Sequence, residues 1–132
     1  MLNPFDVLVV STRAEDRKAL MQVLDKLSAN VFSCSTLGQA QEVLARQTIK
    51  LVFCDQRLPD ETYRDLVAAR QAGVKTPPVV VTSRVGGWED YTEATRLGAF
   101  DLIPCPLHPT DVELAVIRAM RVQEQKAACA TA

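Results

Sequence analysis

The residues best suited to catalysis or ligand binding follow the short apolar runs of the chain. Asp55 comes directly after the apolar run 51–54, and Ser11, Thr12 and Arg13 follow the run 7–10 in the same way. In an open parallel sheet, ligands bind beyond the carboxyl ends of the strands, so these residues are candidates for one crevice. A carboxylate there can act as a nucleophile or bind a metal ion. The alternative is that Asp55 is a solvated aspartate in a turn and has no chemical role. The other candidates are Gln56, Arg57, Ser83, Arg84, Pro104, Cys105 and Pro106.

The elements that must position these residues alternate regularly along the chain. Short β-branched runs at 7–10, 31–34, 51–54, 79–82 and 101–103 are separated by segments with helical spacing. Capping boxes, in which a hydroxyl and a side chain three residues later satisfy free backbone amides, predict helix starts at Thr12, Thr36 and Thr110. Gly73 and Gly98 are expected to end two further helices. The sequence therefore predicts one α/β domain with a doubly wound (βα)₅ parallel sheet.

Length and composition narrow the class of protein further. The chain has 132 residues, with 15 basic and 16 acidic residues interspersed, so it offers no basic field for nucleic acid. No apolar run approaches the roughly 18 residues that span a bilayer, so we expect a cytoplasmic protein without membrane contact. The four cysteines are too widely spaced for a metal or redox motif, which favours free thiols. We expect the domain to cover residues 1–122, with 123–132 a helical extension or tail.

The chain resembles the receiver domain of two-component response regulators from about Asp6 to Met120. The resemblance rests on the run 7–10, Asp55 followed by Leu58-Pro59, the segment 78–83, Gly98-Ala99 and Cys105-Pro106. It implies a flavodoxin-like fold with strand order 2-1-3-4-5, a signalling rather than enzymatic role, and a cis peptide bond before Pro106. It also implies that Asp55 accepts a phosphoryl group from a histidine kinase with Mg²⁺, and that Ser83 closes on the phosphate. The surface of the fourth helix, fifth strand and fifth helix would then change its affinity for partners.

Several positions depart from the pattern of that family. Ser11 and Thr12 stand where the family has an acidic pair, Cys105 replaces a lysine, and Leu102 replaces an aromatic switch residue. A hard divalent cation needs several charged oxygens, so we expect weak Mg²⁺ binding at most and no other cofactor. A short, usually neutral thiol also lacks the positive charge of the lysine. These departures predict a degenerate phosphorylation centre around Asp55.

Three arginines, Arg13, Arg57 and Arg84, flank the predicted crevice and are suited to hold a carboxylate or a phosphate. A carboxylate buried without a cation is costly, so we expect Asp55 to pair with an arginine, with Arg84 favoured over Arg13.

Two functions follow from the sequence. In the favoured one the domain binds partner proteins without being phosphorylated, because the missing groups act together on metal binding and charge stabilisation. In the other one it remains a phosphorylation-competent switch. The expected partners are a sensor histidine kinase or another signalling protein, and a homodimer through the fourth helix, fifth strand and fifth helix. A flavin-binding protein of the same fold is disfavoured, because the loop 11–13 is short and lacks glycine.

Overall fold

The computed structural model describes residues 5–58, 63–71, 77–84 and 87–131, in which five strands alternate with five helices. The strands are β1 (Phe5–Val10), β2 (Ala29–Cys34), β3 (Leu51–Asp55), β4 (Val79–Ser83) and β5 (Asp101–Pro104). The helices are α1 (Ala14–Lys26), α2 (Leu37–Arg46), α3 (Arg64–Gln71), α4 (Trp88–Leu97) and α5 (Pro109–Thr131). The strands form one parallel sheet of order β2-β1-β3-β4-β5, which confirms the predicted flavodoxin-like topology.

The sheet is buried between two layers of helices. Successive side chains of a strand point to opposite faces, so Val7 and Val9 of β1 pack in the core beneath α1 and α5. Leu8 and Val10 pack in the second core, beneath α2, α3 and α4. Every residue of β3 and β4 is buried, as expected for central parallel strands that are apolar on both faces. The two cores hold the strands in a register that fixes where their carboxyl ends meet.

That register brings the chemically interesting residues to one edge of the sheet. Val10 of β1 lies beside Cys54 of β3, and Asp55 lies beside Thr82 of β4. Ser83 lies beside Pro104 of β5. The carboxyl ends of β1, β3, β4 and β5 therefore lie along the same edge of the sheet.

One of the three predicted helix caps is confirmed and two are wrong. The Thr36 side chain accepts a hydrogen bond from the Gln39 amide at 3.2 Å, so it caps α2. Helix α1 begins at Ala14 with Arg13 at the N-cap and no side-chain cap, so Thr12 lies one residue too early to cap it. Helix α5 begins at Pro109, since proline suits the first helical position, and Thr110 lies inside the first turn.

The ends of other elements match the sequence more closely. Gly98 ends α4 in the left-handed conformation with φ 114°, as predicted, whereas Gly73 lies outside the described residues. The Cys105–Pro106 bond is cis, which is also as predicted. Helix α5 runs unbroken to Thr131, and the Gln123 side chain donates to the Lys50 carbonyl at 2.7 Å. The boundary after residue 122 stays a prediction. Within the described ranges, no helix combines the length and apolar character needed to cross a membrane.

Candidate functional site

The centre of the site is the carboxylate of Asp55, which is only 8% exposed at the end of β3. Its Oδ2 atom accepts hydrogen bonds from the Ser11 hydroxyl at 2.9 Å and from the Thr12 amide at 3.2 Å. Its Oδ1 atom accepts one from the Thr82 hydroxyl at 2.8 Å. Hydrogen bonds to an ionised carboxylate are stronger than neutral ones, so these three donors offset the hydration that Asp55 loses on burial.

Ser11 links this carboxylate to the start of α1. It is 1% exposed, and its Oγ atom accepts from the Arg13 amide at 3.1 Å while donating to Asp55. The Ser11 amide in turn donates to the Cys34 carbonyl of β2 at 3.0 Å. Ser11 and Thr12 therefore act as hydrogen-bond donors to Asp55 at the positions where the resembling family has its acidic pair.

The hydroxyl that contacts Asp55 belongs to Thr82 and not to the predicted Ser83. Thr82 lies directly beside Asp55 in the register of β3 and β4, and both side chains are buried. Ser83 is the next residue of β4, and its hydroxyl instead donates to Oε1 of Gln56 at 2.5 Å. A shift of one residue along a strand turns the side chain to the other face, so only one of the two hydroxyls can reach Asp55.

A second carboxylate, that of Asp16, lines the same crevice and was missed by the sequence reasoning. Asp16 lies in the first turn of α1 and is only 6% exposed. The signal was present, because Asp16 is four residues before Leu20 and continues the buried stripe formed by Leu20, Val23 and Leu24. A carboxylate buried at the start of a helix needs a polar or charged partner, and Asp16 has two, Arg84 and Cys105.

The predicted pair between Asp55 and Arg84 is wrong in this structure, because Arg84 pairs with Asp16. The Nη2 atom of Arg84 lies 3.4 Å from Oδ2 of Asp16. Asp55 already accepts three hydrogen bonds, whereas the buried Asp16 carboxylate needs a counter-charge more. The guanidinium of Arg84, at the end of β4, thus pairs with Asp16 of α1 instead of Asp55 of β3.

Cys105 contacts the same carboxylate oxygen as Arg84. Its Sγ atom lies 3.7 Å from Oδ2 of Asp16, and its amide donates to the Ser83 carbonyl at 2.7 Å. Burial, and after it the negative charge of Asp16, raise the pKa of the Cys105 thiol to about 11, and the nearby Arg84 only partly opposes this. The thiol is therefore neutral at physiological pH and supplies no positive charge in place of a lysine.

These groups surround an open cavity of about 340 Å³. The predicted residues Arg13, Arg57 and Arg84 all line it, and so does Gln56. Leu102 does not, since it is 8% exposed and packs in the core beneath α2, α3 and α4. The described residues that line it are Thr12, Arg13, Asp16, Asp55, Gln56, Arg57, Thr82, Arg84 and Cys105.

A doubly wound five-stranded sheet with a buried carboxylate ending β3 and a hydroxyl beside it on β4 defines the class of receiver domains. The sequence model for the response regulator receiver domain matches residues 7–117. The chain therefore belongs to the response regulator receiver domain family.

Individual relatives agree with this assignment. The response regulator protein PilR of Pseudomonas aeruginosa is 28% identical over 120 residues, which are 91% of this chain and 27% of PilR. The signal receiver domain of a LuxO-type repressor from Vibrio parahaemolyticus superposes with a TM-score of 0.86 at 17% identity, covering 96% and 98% of the two chains. NtrX from Brucella abortus gives 0.85 at 24% identity, covering 98% of this chain and 29% of NtrX. The chain thus spans about a quarter of the curated relatives it matches.

The donor set does not fit the Mg²⁺ ion that the family implies. Two hydrogen-bond donors, from Ser11 and Thr12, occupy Oδ2 of Asp55. The Oδ2 atom of Asp16 contacts Arg84 and Cys105. Among residues 5–58, 63–71, 77–84 and 87–131, no group of three or more His, Cys, Asp or Glu side chains could hold a metal. A hard cation needs several charged oxygens, and of the two carboxylates in the described lining, Asp55 accepts two donors on Oδ2 while Asp16 is paired with Arg84.

Proposed function

We propose that the chain is a receiver module whose Asp55 centre has lost efficient Mg²⁺-dependent phosphorylation and which signals through protein contacts. The observation that carries the proposal is the pair of donors on Oδ2 of Asp55. Ser11 donates its hydroxyl proton and Thr12 its backbone amide proton to that oxygen, and neither side chain supplies the charged oxygen that an acidic pair would offer to a metal. Cys105 adds to this, because its neutral thiol leaves a developing acyl phosphate without the usual ammonium.

The proposal also covers the partners, the location and the boundaries of the domain. Receiver domains interact with histidine kinases, so the expected partner is a sensor histidine kinase or another signalling protein of the cytoplasm. The domain is proposed to have no enzymatic activity of its own and no direct contact with nucleic acid or membrane. Residues 1–122 would form the receiver and 123–132 its helical extension.

The alternative function is a switch that is still phosphorylated on Asp55. It draws support from the buried, well-oriented carboxylate itself and from the Thr82 hydroxyl at 2.8 Å. In that case the surface of α4, β5 and α5 would change its partner affinity on phosphorylation.

Incubation with an acyl phosphate and Mg²⁺, followed by intact-mass measurement, separates the two functions. The phosphoryl group would pass from the donor to the Asp55 carboxylate, releasing the donor's carboxylate. We expect slow or no gain of phosphate in the wild-type chain. Rapid gain of one phosphate per chain that Asp55→Asn abolishes would establish the alternative.

A variant that rebuilds the centre provides the positive control. Thr12 is exposed and Cys105 is partly buried, so Thr12→Asp with Cys105→Lys adds an oxygen ligand and a cation at the two changed positions. We expect this double variant to gain Mg²⁺-dependent phosphorylation on Asp55. The matched variant Thr12→Asn with Cys105→Met keeps similar shapes without the charges, and it should stay as slow as the wild type.

A further inference from the structure

Strand β2 forms one edge of the sheet, and within the described ranges its outer side pairs with no other strand. It pairs with β1 alone, and it is the one described strand in which no residue is buried. Its sequence, Ala29–Cys34, contains neither a charged residue nor a proline, with which proteins usually protect a sheet edge. An edge of this kind can accept a further strand.

One hydrogen bond shows which backbone groups of β2 point outward. The Cys34 carbonyl accepts from the Ser11 amide at 3.0 Å, and Ser11 follows β1. The backbone groups of successive residues in a strand point alternately to its two sides, so those of Ala29, Val31 and Ser33 point away from β1. These three residues therefore present their amides and carbonyls at the open edge.

An open groove of about 920 Å³ lies along this edge, between β2 and α1. Met21 of α1 lines it with its side chain 45% exposed, and Val31 of β2 lines it from the strand. The groove thus adds apolar surface to an edge that already offers unpaired backbone groups. Its other described lining residues are Ala14, Arg17, Lys18, Gln22, Asp25, Ala29, Asn30 and Ser33.

The charges along the α1 side of the groove are self-complementary. Arg17 and Asp25 stand four residues before and four residues after Met21, and all three side chains line the groove. Residues four apart lie on the same face of a helix, so the three form one stripe. A two-fold axis beside Met21 would place Arg17 of one copy opposite Asp25 of the other, and the reverse.

The same axis suits the strand. Met21 is five residues before the end of α1, about 7.5 Å along the helix, and Val31 is two residues after the start of β2, about 6.6 Å along the strand. The helix and the strand run in opposite directions, so Met21 and Val31 lie at a similar height on the sheet. A two-fold axis at Val31 pairs this residue with itself and Ala29 with Ser33, which are the residues whose backbone groups point outward.

We propose that a second copy of this chain pairs with β2 in antiparallel orientation, about a two-fold axis beside Val31 and Met21. The two five-stranded sheets then form one continuous sheet joined by about six backbone hydrogen bonds. Paired strands lie about 4.7–4.9 Å apart, so the two grooves join and both Met21 side chains are covered. Two Arg17–Asp25 pairs, one on each side of the axis, fix the orientation.

This inference goes beyond the proposed function and does not depend on the state of Asp55. Strand β2 lies at the opposite edge of the sheet from β5, so the contact leaves the surface of α4, β5 and α5 available. The intact-mass measurement tests the phosphorylation of Asp55, and the experiments below test self-association, so the two proposals can fail separately.

The first test combines sedimentation velocity with amide hydrogen exchange on the full chain. We expect dimers at about 1 mM that dissociate on dilution. The Val31 and Ser33 amides should exchange more slowly in the concentrated sample, because the second copy accepts their hydrogen bonds. The Asn30 and Phe32 amides point towards β1, so their exchange should depend much less on concentration.

Charge-reversal variants test the orientation of the two copies. Arg17→Glu and Asp25→Arg should each weaken the homodimer by about tenfold or more, because each creates two like-charge pairs across the axis. An equal mixture of the two variants should form heterodimers about as tightly as the wild type, since opposite charges then face each other again. Arg121→Glu is the matched control, because Arg121 is exposed and lies outside the described groove lining, and it should change the dissociation constant by less than about twofold.

The recovery in the mixture excludes misfolding as the cause of weaker dimers. The proposal is overturned if the chain stays monomeric at about 1 mM, or if the exchange of the Val31 and Ser33 amides does not depend on concentration. It is also overturned if the mixed variants associate no better than each variant alone. Dilution shifts confined to Tyr91 and Arg118 would likewise overturn it, because they would place self-association at the β5 edge.

Discussion

Replacing Thr82 with valine tests which hydroxyl supports Asp55. Thr82→Val keeps the β-branched shape that suits a central strand and removes only the donor that lies 2.8 Å from Oδ1 of Asp55. Both side chains are buried, at 4% and 8% exposure, so water cannot readily replace the lost hydrogen bond. Hydrogen bonds to charged groups contribute about 1.5–3 kcal/mol, and we expect a loss of stability of about 2 kcal/mol.

The neighbouring hydroxyl supplies the matched control. Ser83→Ala removes a donor to the neutral amide oxygen of Gln56, and a neutral hydrogen bond contributes about 0.5–1.5 kcal/mol. Its expected cost is therefore about 1 kcal/mol. Urea unfolding followed by circular dichroism measures both losses, and equal slopes would show that both variants unfold in the same way.

A double-mutant cycle with Asp55→Asn then isolates the contact. In that background the carboxylate charge is absent, so Thr82→Val should cost only about 1 kcal/mol, which leaves a coupling energy of about 1 kcal/mol. The reasoning would be refuted if Ser83→Ala destabilised the protein more than Thr82→Val, or if the coupling between positions 82 and 55 were absent. Either result would show that the Thr82 hydroxyl is not the main support of the Asp55 carboxylate.

Three further predictions concern the thiol and the outer face of the domain. Cys105 should react slowly with alkylating reagents at neutral pH, because its pKa is raised to about 11. An unfolded thiol ionises near 9.0, so the unfolded state loses its proton first, and stability should fall between about pH 9 and 11 in a way that Cys105→Ser removes. Self-association through α4, β5 and α5 should shift the amides of Tyr91, 38% exposed, and Arg118, whose side chain is 63% exposed, on dilution. Leu102, at the switch position of the same face, is buried and so does not report directly on this contact, and shifts confined to α1 would contradict this face.

The sequence by itself determined the architecture of the domain. Short strand-like runs of three or four residues, separated by segments with helical spacing, are compatible with few arrangements other than a covered parallel sheet. The position of Asp55 followed from this, because a polar residue that ends a central strand must lie at the carboxyl edge. The balanced composition, with 15 basic and 16 acidic residues, likewise gave no overall basic excess of the kind that favours nucleic acid.

Only the tertiary structure decided which neighbours meet in the site. The choice between Thr82 and Ser83 depends on the register of β3 against β4, and a shift of one residue would have exchanged them. The partner of Arg84 depends on how α1 packs on the sheet, which brings the buried carboxylate of Asp16 to the end of β4. Such long-range contacts join residues 68 positions apart, and local sequence patterns carry no information about them. Local periodicity in the sequence was therefore enough to predict the architecture. The ion pair in the cavity depends on how the helices pack against the sheet, which only the tertiary structure shows.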